Sequence, residues 1–244
     1  MSSIRIGIAG LGAIGRKVAR ELANGIPGLT LSGIATGDKA KAQAWLDREG
    51  IACPLIALNE LPDHADLALE CAPAAILGDI CLPMLNAGKR VMVLSASALL
   101  GLDAVSAAAE GRIESVQMIT RKPPNGLAGA PYLVDNKISV EGLTSALRVF
   151  KGSARDAAAA FPANVNVVAA LSLAGIGPDR TVIEIWADPG VSRNCHEIRV
   201  ESDSARFTMS IENVPSENPK TGRITALSVI AALRKLTTPL RVGT

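Results

Sequence analysis

The chain has 244 residues, of which 48% are hydrophobic, 20% are charged and only 2% are aromatic. This composition excludes intrinsic disorder, and the scarcity of aromatic side chains requires a core built from Ala, Val, Leu and Ile. The net charge of +2 is too small to indicate a protein that binds nucleic acid or an anionic membrane surface.

The N-terminus MSSIRIGIAG has no signal-peptide pattern, and the sequence contains no run of 18 or more apolar residues. We therefore expect a cytoplasmic protein with no membrane and no nucleic-acid partner. The four cysteines lack CxxC spacing, and no histidine lies at metal-ligand spacing from them. We expect these thiols to be reduced and no metal site to be present.

The N-terminal part of the chain, 1–110, alternates between short apolar runs and helical patterns. The runs IRIGIAG and LTLSGIAT are each followed by a helical pattern that ends in glycine, RKVARELANG and DKAKAQAWLDREG. Further apolar runs, ADLALECA and RVMVLSA, lie on either side of a helical stretch. This alternation predicts an α/β fold in which a doubly wound parallel sheet carries helices on both faces.

The first predicted strand and helix are joined by GLGAIG, in which Gly10, Gly12 and Gly15 have the spacing G-x-G-x-x-G. In this context the first glycine permits a tight turn and the second lets the backbone approach a pyrophosphate. The third allows the helix to pack closely on the strand. The free N–H groups of the helix N-terminus then face the phosphates. We predict that this turn, including Ala13 and Ile14, binds a dinucleotide.

The choice between NAD and NADP depends on the end of the second predicted strand, where an acidic residue commonly binds the ribose 2′-hydroxyl. Asp38 falls two positions late, after Thr36 and Gly37, and Lys39 would tolerate a 2′-phosphate. We therefore expect Asp38 to contact the cofactor, with either NAD or NADP as that cofactor.

The C-terminal part of the chain has a different pattern, in which strands follow one another almost without helices between them. The runs RTVIEIWAD, HEIRVES and ARFTMSIEN read as strands, whereas ARDAAAAFP and NVNVVAALSLAG read as helices. Such segregation predicts a second, α+β domain with a mixed or antiparallel sheet. We place the first domain at 1–110, the second at 111–221 and a final helical segment at 222–244.

Three stretches of this part are distinctive in combination: TRKPPNGLAGAP, the run from FPANVNVVAALSLAG to RNCHEI, and NPKTGRITALSVIAALRKL. Together with GLGAIG they resemble the L-aspartate dehydrogenase family, the NAD(P)-dependent enzymes that interconvert aspartate and iminoaspartate. The resemblance covers nearly the whole chain. It implies a Rossmann domain on which the segment 222–244 packs, a catalytic α+β domain, and a homodimer.

The resemblance also implies roles for three residues. His196, in the N-x-H-E-I pattern, corresponds to the catalytic residue. Asn166, the second asparagine of FPANVN, corresponds to a residue that contacts the nicotinamide end of the cofactor, and Ala98 matches a cofactor contact after the last Rossmann strand. A histidine whose pKa is near neutrality suits the proton transfers of amine oxidation, while the nicotinamide carries the hydride.

A dicarboxylate substrate requires cationic or N–H partners. Lys220 and Thr221 precede the final helix, and helix N-termini favour anions. Arg121 and Lys122, in TRKPP, are a second pair of candidates for substrate binding, with exposed loop charges as the alternative. Asn194, two residues before His196, either binds the substrate or orients its loop.

One departure from the family pattern leaves the function open. Members continue after the RVMVL-type strand with another helix and strand, whereas here RVMVLSASALL leads almost directly into GLDAVSAAAEG. We therefore expect one Rossmann crossover to be missing. Three hypotheses follow: an aspartate dehydrogenase that feeds NAD biosynthesis, a dehydrogenase of another amino or hydroxy dicarboxylate, and a dinucleotide-binding protein whose turnover is lost or altered.

Overall fold

The chain divides into two compact units. The first joins Met1–Ser97 to Thr225–Val242, and the second consists mainly of Ala98–Ile224. The sequence places the boundary at residue 110, whereas the contacts assign residues 98 onward to the second unit. The structure, a computed structural model, describes residues 3–73, 76–93, 101–162, 166–214 and 223–240, with only the backbone at residue 166.

The first unit is built on a parallel sheet. Its strands are β1 (Ile4–Ala9), β2 (Leu29–Ala35), β3 (Leu55–Ile56), β4 (Leu67–Glu70) and β5 (Arg90–Val93), and its helices before the second unit are α1 (Ala13–Ala23), α2 (Lys39–Glu49), α3 (Leu61–His64) and α4 (Leu77–Asn86). The sheet order is β3-β2-β1-β4-β5, and every pairing is parallel. Separate apolar clusters cover its two faces, so the central strands read as almost continuous apolar runs.

Local sequence sets both ends of α2. The Asp38 carboxylate accepts a hydrogen bond from the backbone N–H of Lys41 at 2.9 Å, which satisfies a donor of the first turn. Gly50 ends the helix with a φ of 67°, in the left-handed region that glycine enters without a steric penalty. Between these ends, Trp45 and Leu46 face the core and are fully buried.

The second unit contains a mixed sheet. Its strands are β6 (Ile113–Lys122), β7 (Leu147–Ser153), β8 (Thr181–Ala187), β9 (Cys195–Ser202) and β10 (Arg206–Glu212), and its helices are α5 (Leu102–Ala109), α6 (Pro131–Asp135), α7 (Ala154–Ala160) and α8 (Asn166–Ala174). The sheet order is β10-β9-β6-β8-β7. Only β6 and β8 pair in parallel, and the other described pairs are antiparallel.

One face of this second sheet forms the core of the unit, and the other carries mostly polar side chains. Val116 and Met118 of β6 are buried on the core face. Three aromatic rings, those of Tyr132, Phe150 and Phe161, pack together there with centroids 5.3 to 5.6 Å apart. The alternation of side chains along a strand therefore determines which residues reach the core face.

The last helix, α9 (Arg223–Thr237), packs in the core of the first unit. Val229 and Leu233 belong to the same apolar cluster as Ile6 of β1. At the surface, Arg234 forms an ion pair with Glu21 of α1 at 3.1 Å. The apolar face of the periodic RITALSVIAALRKL stretch thus covers the parallel sheet.

The predicted fold class is confirmed: a doubly wound parallel sheet is followed by a mixed sheet with segregated helices. Among the described residues, the helices are all too short or too polar to cross a lipid bilayer.

Candidate active site

The glycine turn between β1 and α1 has a backbone shape that only glycine accepts at its first position. Gly10 has a φ of 102°, and a Cβ atom there would lie 2.5 Å from the carbonyl oxygen of Cys71. Gly15 cannot be replaced either, because a Cβ atom there would collide with the Gly10 carbonyl oxygen. Strand, turn and helix are therefore in direct backbone contact.

The middle glycine leaves space at the helix N-terminus. Gly12 is the N-cap of α1, without a side-chain hydrogen bond to the first turn. No described atom lies within 4 Å of the place where its Cβ would be. The N–H groups of Ala13 and Ile14 accordingly open the helix at a position that a phosphate can approach. These features fit the pyrophosphate of a dinucleotide.

The structure gives Asp38 a local role. Its carboxylate caps α2, as described above, and it is exposed at the end of β2 together with Gly37 and Lys39. A ribose contact from Asp38 would have to share this carboxylate with the Lys41 N–H. No other acidic residue lies between β2 and the start of α2.

His196 lies near the start of β9 on the core face of the second sheet, and only 7% of it is exposed. Its register partner on β6 is Thr120. The Thr120 hydroxyl oxygen and His196 Nδ1 are 3.1 Å apart, a hydrogen bond in which the tautomer decides the donor. This contact orients the ring and leaves Nε2 with no hydrogen-bond partner among the described residues.

The environment of His196 changes its proton affinity. Burial, and secondarily the positive charge of Lys122, lower the pKa of His196 to about 4. A pKa near neutrality is expected from the sequence. The ring is instead neutral at neutral pH, which leaves one of its two nitrogens without a proton.

The cation on the His196 face is Lys122 and not Arg121. Adjacent residues of a strand point to opposite faces, and Lys122 shares the core face with Thr120. Arg121 lies on the other face, where it pairs with Asp188 at 3.0 Å and stacks over Trp186 at 4.9 Å. Strand alternation therefore places Arg121 on the opposite face of β6 from His196, and its role in substrate binding stays a prediction.

Two asparagines extend the site beyond His196. The backbone N–H of Asn213 donates to the Asn194 carbonyl oxygen at 2.9 Å, which continues the pairing of β10 with β9 by one step. Asn213 is 7% exposed, and its Oδ1 atom is buried without a hydrogen-bond partner among the described residues. The sequence predicts Asn194 and Lys122 as candidates but gives no sign of Asn213, because only the register brings the three residues together.

Four other predicted residues cannot be placed in this arrangement. Ala98, Lys220 and Thr221 lie outside the described residues. Asn166 begins α8, but its side chain is not described. Their expected roles stay predictions.

Comparisons with known proteins match both units. The profile of the family "Aspartate dehydrogenase, C-terminal" matches residues 103–236, more than half of the chain. The profile "Homoserine dehydrogenase, NAD binding domain" matches residues 10–112, which include the glycine turn. The first profile spans His196, Lys122 and Asn213.

Full-length relatives carry the same name. The L-aspartate dehydrogenase 3 of Bordetella bronchiseptica is 52% identical, with 98% of this chain and 97% of the relative covered. The L-aspartate dehydrogenase of Bradyrhizobium diazoefficiens is 51% identical, with 100% and 95% covered. Both alignments, of 264 and 269 positions, are longer than this chain of 244 residues, so each relative has segments without a counterpart here.

Solved structures agree on the fold. The crystal structure of aspartate dehydrogenase from Thermotoga maritima superposes with a TM-score of 0.64, covering 98% of this chain and 99% of that one at 21% identity. A scyllo-inositol dehydrogenase from Lactobacillus casei has a TM-score of 0.54 at 14% identity, covering 96% of this chain and 87% of that one. At these identities the likeness concerns the fold alone.

Proposed function

Because this chain belongs to the L-aspartate dehydrogenase family, we propose that it interconverts L-aspartate and iminoaspartate with NAD or NADP as cofactor. Water then converts iminoaspartate to oxaloacetate and ammonia. The family membership, the NAD-binding profile and the glycine turn support the dehydrogenase activity and the cofactor class. The identity of the substrate comes from the names of the relatives.

The turn from Gly10 to Gly15 would hold the cofactor pyrophosphate. The open N-cap at Gly12 and the N–H groups of Ala13 and Ile14 supply backbone donors there, as far as the described residues extend. When bound there, the nicotinamide would supply the hydride chemistry at the α-carbon of the amino acid. Asn166 and Ala98 belong to this proposal only through the family resemblance.

His196 acts on the proton. The α-ammonium of aspartate must lose a proton before its carbon can give up a hydride, and a neutral imidazole accepts that proton at Nε2. This requires the tautomer in which Nδ1–H donates to the Thr120 hydroxyl oxygen. In the direction of amine formation, the protonated ring returns the proton to the nitrogen.

A single observation carries this proposal: a buried histidine of the family's C-terminal domain is oriented through Nδ1 and kept neutral by its surroundings. His196 also lies where the core face becomes polar, beside Lys122.

The test is NADH consumption with oxaloacetate and ammonia at alkaline pH, with the parent protein beside His196→Ala. We expect kcat to fall by about 10²- to 10⁴-fold in the variant, while the Kd of NADH, measured by fluorescence, stays unchanged. His64→Ala, which removes the other histidine at the end of α3, is the matched control and keeps full activity. A parent that binds NADH without turnover would favour a dinucleotide-binding protein instead.

The finer parts of the proposal are a homodimer, a cytoplasmic location and a role in supplying iminoaspartate to NAD biosynthesis. The homodimer is checked by light scattering coupled to size-exclusion chromatography, where a mass of one chain would contradict it. Activity with other amino or hydroxy dicarboxylates at higher kcat/KM than with aspartate would replace the substrate but keep the reaction class.

A further inference from the structure

The core face of the second sheet changes from apolar to polar over three successive rows of facing residues. Across β6, β9 and β10, the first row of facing residues is Met118, Ile198 and Met209, all apolar. The next row replaces two of them with polar side chains, and the third row is entirely polar. These two rows are Thr120, His196 and Ile211, then Lys122, Asn194 and Asn213.

We call Lys122, Asn194 and Asn213 the polar row. Its membership follows from the register, since Arg121 pairs with Cys195 and the next residue of β6 is Lys122, opposite Asn194. The hydrogen bond from Asn213 N–H to the Asn194 carbonyl adds the third strand. One step of two residues separates this row from His196, which is about 7 Å along the strands. A small molecule can therefore touch both rows.

Two members of the polar row are buried like core residues. Lys122 is 8% exposed and Asn213 is 7% exposed. Burial lowers the pKa of Lys122 to about 8, because removal from water disfavours the charged ammonium. The Asn213 Oδ1 atom has no donor among the described residues. A buried acceptor without a partner is costly, and an arriving donor would relieve that cost.

The chemistry of these groups matches an amino dicarboxylate. An ammonium such as that of Lys122 pairs with a carboxylate, and the charge-assisted bond is stronger in a buried site than in water. An amide oxygen accepts an N–H, which the substrate's amino nitrogen offers. The neighbouring His196 is then placed to exchange the proton of that same nitrogen.

We propose that the polar row is the substrate subsite: the Lys122 ammonium pairs with a substrate carboxylate, and Asn213 Oδ1 accepts a hydrogen bond from the substrate's amino group. This inference rests on the proposed dehydrogenase function and adds two residues to it. It also identifies Lys122, rather than Arg121, as the cation of the TRKPP stretch that meets the substrate.

The first test replaces the charge and keeps the volume, with Lys122→Met. Because the ion pair is present in both the bound substrate and the transition state, we expect the KM for aspartate to rise about 10- to 100-fold with kcat within about threefold. A purely structural lysine would lower kcat and weaken NADH binding together. The control is Lys151→Met, a lysine of the same sheet on the opposite face, 3.1 Å from Glu184, which leaves KM unchanged.

The second test separates the two contacts with succinate, a dicarboxylate without an amino group, used as a competitive inhibitor. Lys122→Met weakens inhibition by succinate as much as it raises the KM for aspartate. Asn213→Ala raises the KM for aspartate about tenfold but changes succinate inhibition less than twofold. The assignment would be overturned if succinate did not compete with aspartate in the parent. It would also be overturned if both variants weakened inhibition by succinate to the same extent.

These outcomes also distinguish a failure of the proposed subsite from a failure of the proposed dehydrogenase function. A parent that does not oxidise aspartate overturns the proposed function. A parent that is active on aspartate, with KM unchanged in both Lys122→Met and Asn213→Ala, overturns the subsite alone. Thermal melts followed by circular dichroism identify a variant that fails to fold, and in that case the other variant still decides.

Discussion

The turn after β1 presents backbone atoms to its ligand, whereas the polar end of the second sheet presents side chains. In the turn, Gly10, Gly12 and Gly15 matter because they have no side chain. The Cβ positions of Gly10 and Gly15 are closed by backbone of the turn itself and by Cys71 and Ala72. At the second site, His196 and Lys122 lie on β9 and β6, and the two asparagines lie one residue beyond the ends of β9 and β10. A backbone site tolerates almost no substitution of its glycines, while a side-chain site separates into groups with individual functions.

Substitution of Gly10 by alanine is expected to have the largest effect. The positive φ of 102° and the 2.5 Å approach to the Cys71 carbonyl act together, so we expect a loss of about 4 kcal/mol in the free energy of unfolding. NADH binding would be lost with it. Urea denaturation measures the first effect and fluorescence titration the second.

Gly12→Ala serves as the comparison for Gly10→Ala, because its Cβ would meet no described atom within 4 Å. Its free energy of unfolding should stay within about 0.5 kcal/mol of the parent value, while the Kd of NADH rises. A strong destabilisation by Gly12→Ala would contradict the distinction between a structural and a ligand-facing glycine.

Acid pH tests the second region alone, since the turn carries no ionisable side chain. The pKa of His196 is lowered to about 4 by burial first and by Lys122 second, against about 6.5 in an unfolded chain. Between these values the unfolded chain holds a proton that the folded one lacks. Stability therefore falls as the pH drops from about 6.5 to 4, by at most about 3 kcal/mol from this group.

The measurement is the free energy of unfolding across this pH range in the parent and in His196→Gln. The variant should lose less stability than the parent over the same interval. Carboxylates such as Asp66, whose pKa Arg5 holds well below its usual range, add the same acid sensitivity to both proteins. Identical pH profiles would mean that His196 is not neutral in the folded state.

Thr120→Val tests whether kcat depends on the orientation of the His196 ring as well as on its presence. Valine fills the same space but cannot bond His196 Nδ1, which Thr120 approaches at 3.1 Å. We expect kcat to fall about tenfold, with NADH binding unchanged and stability reduced by about 1 kcal/mol. Thr120→Ser retains the hydroxyl and should recover most of the activity. An unchanged kcat in Thr120→Val would assign the hydroxyl a structural role only.

Asp38→Ala returns to the first unit and tests the cap of α2. The carboxylate caps α2 through the Lys41 N–H at 2.9 Å, so its loss should cost about 1 kcal/mol of stability. Asp38→Asn keeps an acceptor and should retain that stability. The ratio of the Kd values for NADH and NADPH in Asp38→Asn then reports whether the charge also contacts the ribose, since a shifted ratio requires such a contact.

Features that depend on neighbouring residues could be predicted from the sequence. The spacing of Gly10, Gly12 and Gly15 after an apolar run predicted a turn whose geometry the structure bears out. The alternation of strands and helices predicted the parallel sheet, because a repeated β-α-β pattern is typical of parallel sheets covered by helices. The family resemblance selected His196, whose role as a catalytic base stays a proposal.

The residues around His196 could not be predicted in the same way. Arg121 and Lys122 are adjacent cations in the sequence, and nothing in TRKPP distinguishes them until β6 adopts a register that points one to each face. Asn213 lies 91 residues from Lys122 along the chain, and only the pairing of β10 with β9 and of β9 with β6 brings them into one row.

The sequence by itself determined the fold class, the dinucleotide turn and the family, because helix periodicity, glycine spacing and local motifs act over a few residues. Tertiary structure decided which polar side chains share a face, which residues are buried and which pKa values are shifted. A pKa near 4 for His196 depends on water being excluded by strands distant in sequence and on the charge of Lys122. Burial and cross-strand register arise only when the whole sheet has formed.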